Sequence, residues 1–100
     1  MRLISKEPYL DFAAKHPALK AAIVVFLEQI KHAEWSTPHD VVETFGAERT
    51  DTLSNDRVCV NIGGGKCRAI LKVRYGYGKV YHRWIGLHKD YNKLSDIHLI

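Results

Sequence analysis

The apolar residues of this chain change their period at residue 57, and no other feature limits the fold as much. Upstream, Leu19, Ala22, Ile23, Phe26 and Ile30 recur at the spacing of one helix face. Downstream, Val58, Val60 and Ile62 alternate with Cys59 and Asn61. Beyond a glycine triplet, Cys67, Ala69, Leu71, Val73 and Tyr75 alternate with Arg68, Ile70, Lys72 and Arg74. That is the period of a strand. Helices first and hairpin-linked strands after them make an α+β protein, with helices packed on one face of a small antiparallel-rich sheet.

Local signals place the elements. Arg2-Leu3-Ile4 reads as an edge strand, and Ser5 as the N-cap of a helix with Glu7 and Pro8 in its first turn. Tyr9, Phe12 and Ala13 share a face of that helix, which should stop near Lys15-His16 because Pro17 follows. Pro17 can open the second helix, which carries the buried stripe and frays near Trp35. Thr37-Pro38-His39-Asp40 signals a third start, with Val41, Val42 and Phe45 turned inward and a stop at Gly46. Residues 47–56 are polar and read as a loop. Gly63-Gly64-Gly65 and Gly76-Tyr77-Gly78 turn the chain between strands, and Val80 to Leu87 forms the last of these. Weak helical signals return over His88 to Ile97. The expected order is β-α-α-(α)-β-β-β-α, with residues 1–100 forming a single domain.

Several function classes have no support. The longest uncharged apolar run, Ala21 to Leu27, falls far short of the ~20 residues of a spanning helix, and the N-terminus carries no secretory stretch. Cys59 and Cys67 form no CxxC pair, and the six histidines show no zinc spacing. Gly63-Gly64-Gly65-Lys66-Cys67 lacks the spaced glycine and the Ser/Thr of a phosphate loop, and a strand follows where a helix is needed. No G-x-S-x-G elbow is present. A cytoplasmic protein without metal, cofactor or membrane contact is the expectation.

Charge is divided unevenly. Residues 1–56 hold six Lys/Arg and nine Asp/Glu, whereas residues 57–100 hold nine Lys/Arg and two acids, a change from −3 to +7. Such a split fits an anionic partner, nucleic acid above all, although a solvated basic face would look the same. Arg68, Lys72 and Arg74 fall on one strand face, where their mutual repulsion is relieved by phosphate. The next strand carries Tyr81 and Arg83 and leads into His88-Lys89-Asp90-Tyr91. Cleaving RNA without a metal requires proton transfers at the 2′-hydroxyl and 5′-oxygen, and balance of the charge developing on phosphorus. Histidine suits the first task, and arginine or lysine the second. Tyrosine can stack on a base or share a proton. A module that only binds RNA or a protein needs the basic strand but no proton-transfer group, so His88, Lys89 and Tyr91 separate the two readings.

Three spaced blocks carry a resemblance: Asn61-Ile62-Gly63-Gly64-Gly65-Lys66-Cys67-Arg68, Lys79-Val80-Tyr81-His82-Arg83 and Gly86-Leu87-His88-Lys89-Asp90-Tyr91. Together they resemble the HigB toxins of bacterial type II toxin–antitoxin systems, in the RelE-like superfamily, whose pattern is close to N-v-G-G-N-x-x-R followed by T-H-x-x-Y. The likeness covers residues 57–94 closely and the helical half by layout. It implies a RelE-like fold and a ribosome-dependent mRNA interferase that inhibits translation. It also implies neutralisation by a HigA-type helix-turn-helix antitoxin, with operator DNA reached only through that partner. By position it implies catalytic roles for Arg68, on the scissile phosphate, and for Arg83, His88, Lys89 and Tyr91. Lys66, Lys72, Arg74 and Lys79 are the expected RNA contacts. Simple alternation would put Arg83 on the face of Tyr81 and Ile85. Gly65 stands where asparagine is usual, and Leu87 where threonine is usual, which removes a hydroxyl beside His88.

Overall fold

The computed structural model describes residues 1–100. In chain order it contains β1 (Arg2–Ile4), α1 (Glu7–Lys15), a 3-10 turn (Pro17–Leu19), α2 (Lys20–His32) and α3 (Pro38–Phe45). Then come β2 (Thr50–Thr52), β3 (Arg57–Ile62), β4 (Cys67–Arg74), β5 (Lys79–Leu87) and α4 (His88–Tyr91). The strands form one sheet in the order β1-β5-β4-β3-β2, and β1 alone runs parallel to its neighbour. The architecture is α+β, as the change of period requires.

Alternation decides which face is covered. Val58, Val60 and Ile62 of β3 and Cys67, Ala69, Leu71 and Val73 of β4 are buried beneath the helices. Leu19, Ile23, Phe26 and Ile30 meet them from the helical layer, joined by Tyr9 and Ala13 of α1 and Val41 and Phe45 of α3. Each fully buried Ile or Phe of this layer stabilises the fold by roughly 1.5–3 kcal/mol. Trp35 lies beyond the end of α2, yet it is buried against Phe45 and donates its indole N–H to Thr44 Oγ1 at 2.8 Å. Tyr9 meets the edge of His82 at 4.8 Å, and burial holds that imidazole below its usual pKa, so it packs as a neutral ring.

Local chemistry explains most of the boundaries and corrects five of the expectations. The third start signal holds: one carboxylate oxygen of Asp40 accepts the backbone N–H groups of Ser36 and Thr37 at 2.7 and 3.0 Å. Ser5, by contrast, caps nothing. It occupies the corner between β1 and α1 at φ +66°, and Lys6 takes the N-cap position without a side-chain bond. Pro17 opens a short 3-10 turn, and α2 proper begins at Lys20. The polar stretch 47–56 is not all loop, because Thr50–Thr52 pairs antiparallel with β3. An edge strand needs only backbone partners, so nothing in its side chains announced it. The final helix is a single turn, His88–Tyr91, rather than an element reaching Ile97.

The fifth correction concerns β5. Ile70 pairs with Trp84 and Leu71 with His82, so Arg83 is the extra residue of a β-bulge. The bulge resets the alternation. Val80 and His82 face the helices before it and Ile85 and Leu87 after it, leaving Tyr81, Trp84 and Gly86 on the open face. Arg83 therefore does not share a face with Ile85.

The indole of Trp84 lies over Gly86, where an added Cβ would meet ring carbons at 2.5 and 2.6 Å. Gly86→Ala should destabilise by about 1–3 kcal/mol and perturb the near-ultraviolet tryptophan signal, since the ring must move. Gly76→Ala, with no atom within 4 Å of its Cβ, should leave both unchanged. Denaturant unfolding with near-ultraviolet circular dichroism checks the pair; equal effects would contradict the packing described.

Candidate active site on the open sheet face

The face of the sheet turned away from the helices carries Arg57, Cys59 and Asn61 from β3, Arg68, Ile70, Lys72 and Arg74 from β4, and Tyr81, Trp84 and Gly86 from β5. In register these make cross-strand rows: Asn61–Arg68–Gly86, Asp51–Cys59–Ile70–Trp84 and Arg57–Lys72–Tyr81. The face is not bare. Single-turn α4 lies across one end of it, and its first N–H, that of His88, donates to the carbonyl of Lys66 at 3.2 Å. This bond ties the end of β5 to the glycine turn between β3 and β4.

Arg68 is the centre of that end. Its guanidinium sits 4.6 Å from the ring centroid of Tyr91, a cation–π contact, and only 16% of its side chain is exposed. Nη1 stands 3.7 Å from an Asp51 carboxylate oxygen and 4.0 Å from Cys59 Sγ. The Asp51 carboxylate is largely exposed, so this pair contributes little to stability. Nε of Arg68 and the side-chain oxygen of Asn61 are buried without a hydrogen-bond partner. An unpaired donor on a nearly buried cation is costly unless a ligand satisfies it.

The aromatic neighbours complete the cluster. Tyr91 meets Trp84 at 6.0 Å and His88 at 6.4 Å between ring centroids. Burial raises the Tyr91 hydroxyl above its ordinary pKa, the nearby Cys59 adds to the rise, and Arg68 opposes it. The phenol thus stays protonated at neutral pH and can act as a donor. Burial likewise raises the Cys59 thiol, so it is not a ready nucleophile. The Asn92 amide nitrogen stands 3.3 Å from Nδ1 of His88, leaving Nε2 without a protein partner.

The expected site residues divide by position. Lys66, Arg68, His88, Lys89 and Tyr91 gather at the α4 end, with Lys66 and Lys89 exposed. Lys72 and Arg83 lie further along the face. Arg74 and Lys79 pair with each other at the opposite end of the β4–β5 ladder, six residues from Arg68, a span of ~20 Å. Arg74 lies 4.8 Å from the Tyr77 ring centroid, outside the Arg68 cluster. Asp51, Cys59, Trp84 and Asn92 were not expected. Asp51 could be found only through the hidden strand β2, and Trp84 only through the bulge. The concavities of the molecule lie elsewhere, one of them among Leu3, Leu10, Val24 and Leu27 on the helical side. The candidate site is therefore a shallow surface, suited to a polymer rather than an enclosed small molecule. No three His, Cys, Asp or Glu side chains cluster closely enough to hold a metal ion.

Comparison with known proteins bears on what such a face does. Over 95 residues the chain is 26% identical to the mRNA interferase HigB of Escherichia coli O6:H1, covering 95% of this chain and 92% of that protein. It is 24% identical over 98 residues to the mRNA interferase toxin HigB of Escherichia coli K12, covering 98% and 94%. The mRNA interferase HigB of Shigella flexneri shows the same identity and coverage. A family model for the HigB toxin, described as the RelE-like toxic component of a toxin–antitoxin system, matches residues 19–94. The second half of that span holds the Arg68–Tyr91 cluster and the first half the helices that cover the opposite face, and on this match the chain belongs to the HigB toxin family.

Proposed function

We propose that this chain is a toxin that cleaves mRNA on the ribosome, and that residues 1–100 act as one toxin domain. The observation that carries this is the gathering of Arg68, Tyr91 and His88 at one end of a basic open face, in a member of the HigB toxin family. Its full-length relatives bear the name mRNA interferase. A HigA-type helix-turn-helix antitoxin would be its neutralising partner and its only route to operator DNA. The cytoplasm is the compartment where ribosomes and mRNA meet it, and no helix is long and apolar enough to cross a membrane.

The chemistry assigned to the cluster is transfer of the phosphoryl bond within RNA. The 2′-oxygen attacks phosphorus as its proton leaves, and the bond to the 5′-oxygen breaks as that oxygen gains a proton. With the Asn92 side-chain amide turned so that its oxygen accepts Nδ1–H, His88 takes the proton from the 2′-hydroxyl on its unpartnered Nε2. Arg68 balances the charge on the equatorial oxygens, and its orphaned Nε provides a donor for them. Tyr91, protonated at neutral pH, donates toward the leaving oxygen, while Lys89 adds positive charge at the exposed edge. Lys66 and Lys72 contact flanking phosphates. The second reading, a module that binds RNA or protein without cutting, rests on Leu87, which places no hydroxyl beside His88.

Induced expression of the chain alone should arrest growth, and co-expression of the antitoxin gene beside it should relieve the arrest. Unimpaired growth at confirmed soluble expression would favour the non-cutting module. On programmed ribosomes, His88→Ala should lower single-turnover cleavage roughly 10²–10⁴-fold while association persists, and Lys89→Ala should lower it less. Cleavage by His88→Ala at the parental rate would remove the histidine from the proton transfer.

A further inference from the structure

We propose that Arg57 and Arg83 form a second phosphate-binding site on the open face, and that the segment Asn92–Ile100 closes it in the free protein. The inference rests on the mRNA-cleaving reading for its ligand, an RNA phosphodiester, and on hydrogen bonds for its geometry. Arg57 enters from β3 and Arg83 from the bulge of β5, yet both donate Nε to one oxygen, a main-chain oxygen of Ile100, each at 3.1 Å. Lys72 lies between the two strands, directly opposite Arg57 in the β3–β4 ladder. None of the three pairs with a side-chain carboxylate. Like charges facing each other across a ladder are destabilising, so the cluster is poised for an anion.

A single oxygen shared by two guanidinium groups leaves part of the donor edge of Arg83 unused. Arg57 also gives Nη1 to the carbonyl of Asn55 at 2.8 Å, but neither Nη of Arg83 bonds to protein. A phosphate at the position of that oxygen would accept from Nε and Nη along one edge of Arg83, the two-pronged geometry guanidinium favours. The bulge is what aims Arg83 there. Along β4, Lys72 is four residues from Arg68, ~13 Å, so the second site would hold a phosphate some nucleotides away from the scissile one on the same strand of RNA.

The covering segment is held by few bonds. His98 Nδ1 accepts the N–H of Ser54 at 2.9 Å and meets its hydroxyl at 2.8 Å, and Asn55 donates to the carbonyl of His98 at 3.1 Å. Leu99 N–H closes a turn on Asp96, which sits at φ +52°. All of these groups are exposed, so RNA could displace the segment by exchanging a handful of hydrogen bonds for phosphate contacts.

The test uses the full chain and a labelled single-stranded oligouridylate, followed by fluorescence anisotropy across a salt series. Asn55→Gly with His98→Ala loosens the segment, and the glycine keeps the left-handed turn (φ +59°) whose carbonyl holds Arg57; the pair should tighten binding about fivefold or more. It should also steepen the slope of log K against log salt by about 0.7, the signature of one added phosphate contact. Adding Arg83→Gln, an exposed position, should cancel both gains. An unchanged affinity and slope on release, or a gain that survives Arg83→Gln, would overturn the proposal. So would a gain for inorganic phosphate with none for the oligonucleotide. Far-ultraviolet circular dichroism confirms that each variant is folded. Ribosomal mRNA cleavage, assayed alongside, separates the two readings: cleavage by the parent with no response to release contradicts this site alone. A full response to release without cleavage contradicts the endonuclease reading and leaves the phosphate site standing.

Discussion

The two-sidedness of β4 is the constraint on which the rest of the molecule depends. Lying at the centre of the sheet, it turns Cys67, Ala69, Leu71 and Val73 toward the helices and Arg68, Ile70, Lys72 and Arg74 away from them. Removing the first set from water drives the helical layer onto the sheet. Burying the second set under another layer would strand three cations, so that face stays open apart from α4 and the C-terminal segment. Fold and function are thus read from opposite sides of one strand. A one-residue slip in its register would exchange them and lose both.

On the open side, the elements that build the candidate site are small: one turn of helix, a bulge and a three-residue edge strand. Each corrects the direction of a side chain. The bond from His88 N–H to the Lys66 carbonyl seats α4 over Arg68, so that Tyr91 can cover the guanidinium. β2 brings Asp51 beside the same group. The bulge turns Trp84 onto the face, and Gly86 leaves room for its indole. Arg68 is thereby held in one orientation, as the charge-stabilising role proposed for it requires.

Much of this was legible in the sequence. The stripe on α2, the Asp40 cap and the alternation of β3 and β4 each follow from short-range rules, and all three hold in the structure. What escaped depends on pairing. Thr50-Asp51-Thr52 is polar and short, and becomes a strand only because β3 offers its edge. Arg83 obeys no local rule, since a bulge is defined by the partner strand. Ser5 has the side chain of a cap but lies where the chain must turn sharply from β1 to α1. The blocks around Arg68 and His88-Lys89-Asp90-Tyr91 were visible as motifs, with Asn92 one helical turn after His88, whereas Asp51 and Cys59 joined them only through three-dimensional proximity.

The central claim is that Arg68 and Tyr91 act as one unit on the RNA. A double-mutant cycle tests it most directly, with Arg68→Ala, Tyr91→Leu and their combination compared in single-turnover mRNA cleavage on programmed ribosomes. Groups that depend on each other lose their function together. The account therefore predicts that the double variant is little slower than the slower single one, with a coupling energy of about 1 kcal/mol or more. Losses that simply multiply would show that the stacked pair has no joint role and would contradict the account.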